Sequence, residues 1–314
     1  MLSKVAERLY WTSRYLERAE NTARLVSVYD ALLFDLPREI DISWYNLVEL
    51  NGAQALFEER YRVQDERNVV KFTLADDTNP SSMLSALNMA RENVRTSRDV
   101  LPPASWELIN ELRIFANANI QNGINRSARY EFLDHVVKAC QQITGLFSCT
   151  MSRDASWQFI TIGRHLERVD MVTRLLDAGA AAQIQGEAET NMAISQVIWG
   201  NVLRSSSADL AYRRTTRSAV SAQEVAAFLL QDPDFPRSVR FGLAGMRHAA
   251  SRLPHGRDVV GQIDRQLEAI DALDVETLLD GRFRDFLNEV QLDLIDLHQR
   301  FGETWFSYDE PEVA

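Results

Sequence analysis

Thirteen residues from Ser13 to Leu25, SRYLERAENTARL, return 150 positions later as Gly163 to Leu175, GRHLERVDMVTRL. Arg14, Leu16, Glu17, Arg18, Arg24 and Leu25 fall on identical residues, and Glu20 falls on Asp170. A chain that keeps the same charges in two otherwise divergent copies is constrained to build the same element twice. From Leu2 to Phe34 there is no Pro or Gly, and Leu2, Val5, Leu9, Leu16, Ala19, Ala23 and Val26 recur at helical spacing, which predicts one long helix. Trp11, Tyr15, Thr22, Leu25, Tyr29 and Leu32 add a second stripe, so the helix is apolar on more than one side and belongs inside a bundle. Its polar face, Tyr10, Arg14, Glu17, Asn21 and Arg24, is then placed against protein as much as against solvent.

Downstream, Pro37 stops the first helix, and helices are expected from about Ile42 to Tyr61 and from Glu66 to Leu74. In NPSSMLSALNMAREN, Asn79 can cap a helix with Pro80 at its first position, leaving Ser81 and Ser82 with free backbone N–H groups: an anion site, or simply a good cap. Asn88, Arg91, Glu92 and Arg95 follow as a polar face. After Pro102 and Pro103 come a helix from Trp106 to Phe115, a connector rich in Asn (117, 119, 122, 125) and a helix from about Tyr130 to Met151. The pattern restarts at Trp157. Trp44 has a counterpart in Trp199, Phe72–Val94 in Phe228–Ala250, Pro102 in Pro254, and Phe286 to Phe306 echoes the helix that closed the first half. The expectation is an all-α fold over residues 1–314: one compact bundle of about twelve helices, built from two pseudo-symmetric repeats at approximately 1–152 and 153–308 that meet near Arg153, with a frayed acidic tail.

Of the 314 residues, 46% are hydrophobic, enough for a core without staples, and a net charge of -11 disfavours nucleic acid as a partner. Cys140 and Cys149 lie about 13 Å apart on opposite faces of one helix, beyond a disulfide. With no signal-peptide pattern and no apolar run of membrane-spanning length, the composition points to a cytoplasmic protein that does not span a membrane. A di-iron bundle needs Glu-x-x-His, and the residues three before each His are Phe132, Ile162, Gly245, Arg252 and Ile295, so no metal is assigned. Phosphate-cradling glycine loops and the serine-hydrolase elbow are missing from the sequence as well, and no cofactor is assigned.

The doubled Arg/Glu face has two readings. It joins the long helices as a partly buried structural network, or it is a network that also binds a carboxylate or other anion. Because Asn21 becomes Met171 and the Asn79, Ser81 pair becomes Phe235, Arg237, the first half is the expected side for any ligand.

The opening MLSKVAERLYWTSRYLERAENTARL, the segment NPSSMLSALNMARENVRTSRD, the central GRHLERVDMVTRLL and the terminal FGETWF resemble the alpha-E family of bacterial proteins. The resemblance implies an all-helical protein whose gene sits beside a circularly permuted ATP-grasp ligase and often a transglutaminase-like protein, hence a part in ATP-dependent amide or peptide formation. The motif positions it carries over as candidates are Arg14, Glu17, Arg18, Arg24, Asn79, Ser81, Ser82, Arg91 and Glu92. The expected function is a helical partner that presents a carboxylate or peptide to such a ligase from an Arg/Glu-lined cleft. Anion-binding candidates are Arg14, Arg18, Asn21, Arg24, Asn79, Ser81, Ser82, Arg91, Glu92, Arg164, Arg168 and Arg174. Two alternatives stand beside it: an enzyme using Glu17 or Glu167 as acid/base, and a pure scaffold.

Overall fold

In the computed structural model the described residues are 1–35, 42–185, 192–275 and 281–307; the expected stop at Pro37 and the acidic tail lie outside them. The described residues hold fourteen helices and no strand, and all but two short ones have eight residues or more. The two long helices the repeat predicted are α1 (Ser3–Asp35) and α8 (Ala155–Gln185). They pack on each other, and each collects the same set of neighbours in the same order. Around α1 stand α5 (Met83–Arg95) and α7 (Arg129–Thr150), with α6 (Ala104–Ile124) packed on both. Around α8 stand α12 (Val239–Ser251) and α14 (Gly281–Phe301), with α13 (Arg257–Asp271) packed on both.

The remaining helices fill the sides. They are α2 (Asn46–Leu50), α3 (Gln54–Glu58) and α4 (Glu66–Leu74) in the first segment, and α9 (Met192–Ser205), α10 (Asp209–Thr216) and α11 (Ala222–Gln231) in the second. After α14 comes a π-helical turn, Gly302–Phe306, which buries Trp305 and Phe306. No helix among the described residues is long and apolar enough to cross a membrane.

Local chemistry explains several boundaries. Ser82 and Ser238, at matching positions, cap α5 and α12: their hydroxyls accept from Ser85 N at 3.3 Å and Phe241 N at 3.0 Å. The cap of α5 is therefore Ser82 rather than Asn79. Asn79 turns inward, donating to Phe72 O at 3.1 Å and accepting from Ser81 N at 3.0 Å.

Two further expectations are revised. The helix from Ile42 to Tyr61 is broken into α2 and α3, because Gly52 takes a φ of 63° and closes α2 with a Schellman turn, Gly52 N to Glu49 O and Ala53 N to Val48 O. The Asn-rich connector is instead the second half of α6: Ile109, Leu112, Ala116 and Ile124 bury one continuous face, and that burial outweighs the small helical penalty of Asn. At the end of α9 the same turn recurs, Ser207 N to Arg204 O and Ala208 N to Leu203 O, with Ser207 at a φ of 52°.

Candidate functional site

Glycine decides how the charged faces meet. A Cβ on Gly163 would lie 2.2 Å from Tyr10 O and 2.4 Å from Ser13 Oγ, so α8 approaches α1 backbone to backbone at this point. One turn further along, the Arg and Glu side chains of the two helices interleave.

Their partners are exchanged between the segments. Glu167 accepts from Arg14 Nε at 2.8 Å, from Arg18 Nε at 2.6 Å and from Arg18 Nη2 at 3.0 Å. Reciprocally, Glu17 pairs with Arg168 Nε at 2.8 Å and accepts from Arg237 Nη1 at 2.9 Å. Each Glu-Arg dipeptide thus gives its carboxylate to the other segment's arginines and its arginine to the other's carboxylate. Glu17 and Glu167 are only 2% and 3% exposed. Burial alone would push both carboxyls up, but Arg168 and Arg237 around Glu17, and Arg18 and Arg14 around Glu167, overcome it and lower each to about 2. Both are anions at neutral pH and have no proton to donate.

Arg14 also donates from Nη1 to the Tyr10 hydroxyl at 3.1 Å and lies 4.8 Å from the centroid of the Trp11 ring. Tyr10 OH shares a 2.8 Å hydrogen bond with His298 Nδ1, tying α14 to the same cluster. Burial pushes Tyr10 up to about 12, while burial and then Arg14 bring His298 down to about 4, so both are neutral near pH 7.

The exchange is incomplete at one position. Arg164, which matches Arg14, makes no ion pair among the described residues; its Nε is buried without a hydrogen-bond partner, and its guanidinium lies 5.6 Å from the Trp157 ring centroid. Burial, then neighbouring Arg168, lowers it to about 10. Arg237, from the loop before α12, takes the place beside Glu17. It also donates to Asn21 Oδ1 at 3.0 Å and Glu20 Oε1 at 2.8 Å. The matching residue, Ser81, is exposed and donates from its backbone N–H to Asn79 Oδ1.

Outside this core Arg24 bonds Glu20 and Ser207, and Gln141 Nε2 donates to Glu20 at 3.2 Å. Arg174 pairs with Asp170 at 3.0 Å and donates to Leu50 O at 3.3 Å, against the turn that matches the one Arg24 touches. A recess of about 290 Å³ opens here, lined by Glu20, Gln141, Thr144, Arg168, Ser207 and Arg237 among others.

Of the sequence candidates, Arg14, Glu17, Arg18, Asn21, Arg24, Glu167 and Arg168 assemble with Arg237, and Arg164 stands at the margin. Arg174 forms a separate pair. Asn79, Ser81 and Ser82 serve the turn into α5. Arg91 holds Asn110 Oδ1 at 2.8 Å, and Glu92 pairs with Arg95 on the exposed side of α5. The charges meet across the segments, so the first half alone holds no complete set. Arg237 and Tyr10–His298 were not assigned from sequence; the replacement of Ser81 by Arg237 was the available signal for the former. Among the described residues no three His, Cys, Asp or Glu side chains are grouped to hold a metal ion.

An uncharacterized protein of Mycobacterium bovis and one of Mycobacterium tuberculosis strain CDC 1551 are each 23% identical to the chain over 277 residues, and one of M. tuberculosis strain H37Rv is 22% identical over 277. These matches cover 80% of the chain but 30% of each relative, so the chain spans about a third of their length. No solved structure matches. The family model for Alpha-E, described as a predicted alpha-helical domain with a conserved ER motif, matches residues 1–306. This chain, in which the Glu-Arg dipeptides of α1 and α8 trade partners, belongs to the Alpha-E family.

Proposed function

We propose that the protein is a non-catalytic partner of an ATP-grasp type amide or peptide ligase, and that it presents a carboxylate or peptide terminus at the recess beside Glu20, Arg168 and Arg237. The observation that carries this reading is the charge balance at the recess. Arg168 and Arg237 line it beside a single carboxylate, Glu20, leaving one positive charge in excess in a chain whose net charge is -11. An incoming carboxylate would neutralise it and could accept from guanidinium edges already held in place. The locked, ionised state of Glu17 and Glu167 argues against the enzyme alternative, since neither can act as a general acid near neutral pH. The partner itself comes from the family resemblance, which links such chains to a circularly permuted ATP-grasp ligase and a transglutaminase-like protein.

The test is co-expression with that ligase. Co-purification, together with ligase turnover that depends on this protein and falls at least about tenfold with Arg237→Gln, is the expected result. If the two never associate and turnover is indifferent to the protein, the proposal fails. A scaffold is the second reading, favoured by the closure of the inner network; it predicts that Arg14→Ala lowers stability while ligase association is unchanged.

A further inference from the structure

A second cavity lies away from the Glu–Arg core and uses different residues. About 460 Å³ opens between α8, α9, the α2 turn and α1, within the size range of small-molecule sites. Four charged side chains border it, Glu49, Arg174, Asp177 and Arg284, and their formal charges cancel. Each is already engaged. Glu49 accepts from Asn46 Nδ2 at 2.9 Å, Arg174 bonds Asp170 and Leu50 O, and Asp177 accepts from Arg284 Nε at 2.7 Å.

What is left unengaged is neutral. Asn201 and Ser205, one helical turn apart on α9, are 8% and 6% exposed, both border the cavity, and Asn201 Oδ1 and Ser205 Oγ are buried with no hydrogen-bond partner among the described residues. Tyr29, 6% exposed, borders it from α1; burial and then Glu49 push its hydroxyl up to about 12, so it remains a donor. A buried amide or hydroxyl left without a partner costs roughly 1–3 kcal/mol, which makes two on one face of one helix a feature that needs an occupant. Asn46, at the position matching Asn201 and bordering the same cavity, shows the satisfied alternative: it accepts from Ser43 N at 2.7 Å and donates to Glu49 at 2.9 Å. Apolar side chains including Leu175, Ile198 and Val202 complete the wall.

We infer that this cavity binds an uncharged, amide-bearing small molecule of about the size of a capped amino acid, held by the Asn201 amide and the Ser205 and Tyr29 hydroxyls. A side-chain amide and a ligand amide satisfy each other's donor and acceptor, the aliphatic wall takes an apolar side chain, and the cancelled charges give no preference for an ion. The inference stands on other residues than the arginine recess and survives if that reading fails.

Isothermal titration of the full chain with N-acetyl-leucine amide, and with free leucine as the charged comparison, tests it. The capped amide is expected to bind at millimolar concentration or better and free leucine at least about tenfold more weakly. Asn201→Leu should weaken the capped amide about tenfold while its own thermal midpoint is unchanged or higher, because a buried unsatisfied polar group has been removed. If Asn201→Leu does not fold, Ser205→Ala carries the same comparison. Three results overturn the inference: no binding of the capped amide, as for a cavity that takes only water; equal binding of free leucine; or a variant with lowered thermal midpoint and unchanged binding, which would make these side chains structural.

Discussion

Neutralising Glu167 is the most direct probe of the exchanged Glu–Arg core. In Glu167→Gln, Arg14 and Arg18 keep their positions beside an amide that can offer one acceptor and no charge, and two largely buried guanidinium groups lose their counterion. The carboxyl sits at about 2 in the folded chain against an ordinary 4.5. That difference corresponds to about 3 kcal/mol, the low end of the roughly 3–5 kcal/mol expected for removing one member of a buried pair. The sign follows from the lowered value. The contribution is fully present above pH 4.5 and is lost as pH falls toward 2. Urea unfolding at pH 7 should therefore show Glu167→Gln less stable than the wild type by about 3 kcal/mol, and at pH 3 by about half of that, because the wild-type carboxylate is by then giving up its own advantage. A loss below about 1 kcal/mol at pH 7, or the same loss at both pH values, would refute the ionised, two-arginine lock.

Two further substitutions test the packing that brings the lock together. Gly163→Ala would ordinarily gain up to about 1 kcal/mol in a helix, but here the methyl meets backbone of α1, so a loss of at least about 2 kcal/mol is expected by the same unfolding measurement; equal stability would mean the helices are farther apart than described. Arg129, 1% exposed, ties α7 to Asp30 of α1 at 2.5 Å and Glu66 of α4 at 2.8 Å, so Arg129→Met should cost about 3–5 kcal/mol, and combining it with Asp30→Ala should cost less than the sum of the two; full additivity would show the pair to be uncoupled.

Much of the fold is a local matter. The apolar spacing of residues 2–34 and the scarcity of Pro and Gly suffice for α1, because helix formation reads neighbours three and four positions away. Glu66–Leu74 falls where its pattern put it. The misplaced boundaries share a cause. Whether Gly52 breaks a helix, or whether Asn117 to Asn122 continue one, turns on what the segment packs against, and the preferences of Gly and Asn, below about 1 kcal/mol each, are smaller than the burial of a few side chains.

The Glu–Arg face divides the same way. By itself the sequence determined which residues carry charge, that they line one side of a long helix, and that the pattern occurs twice, 150 residues apart. Only tertiary structure decided what those charges do. The approach of α8 to α1 at Gly163 turned two amphipathic faces into one buried network with Glu17 and Glu167 as locked anions. It also brought Arg237 to Glu17 across 220 residues of sequence and left Arg164, the twin of a paired arginine, without an ion pair among the described residues. The physical reason is range: helical periodicity is a property of nearest turns, whereas the state of a carboxylate depends on every charge within a few ångströms and on how much water reaches it, and both are set by which surfaces the folded chain presses together.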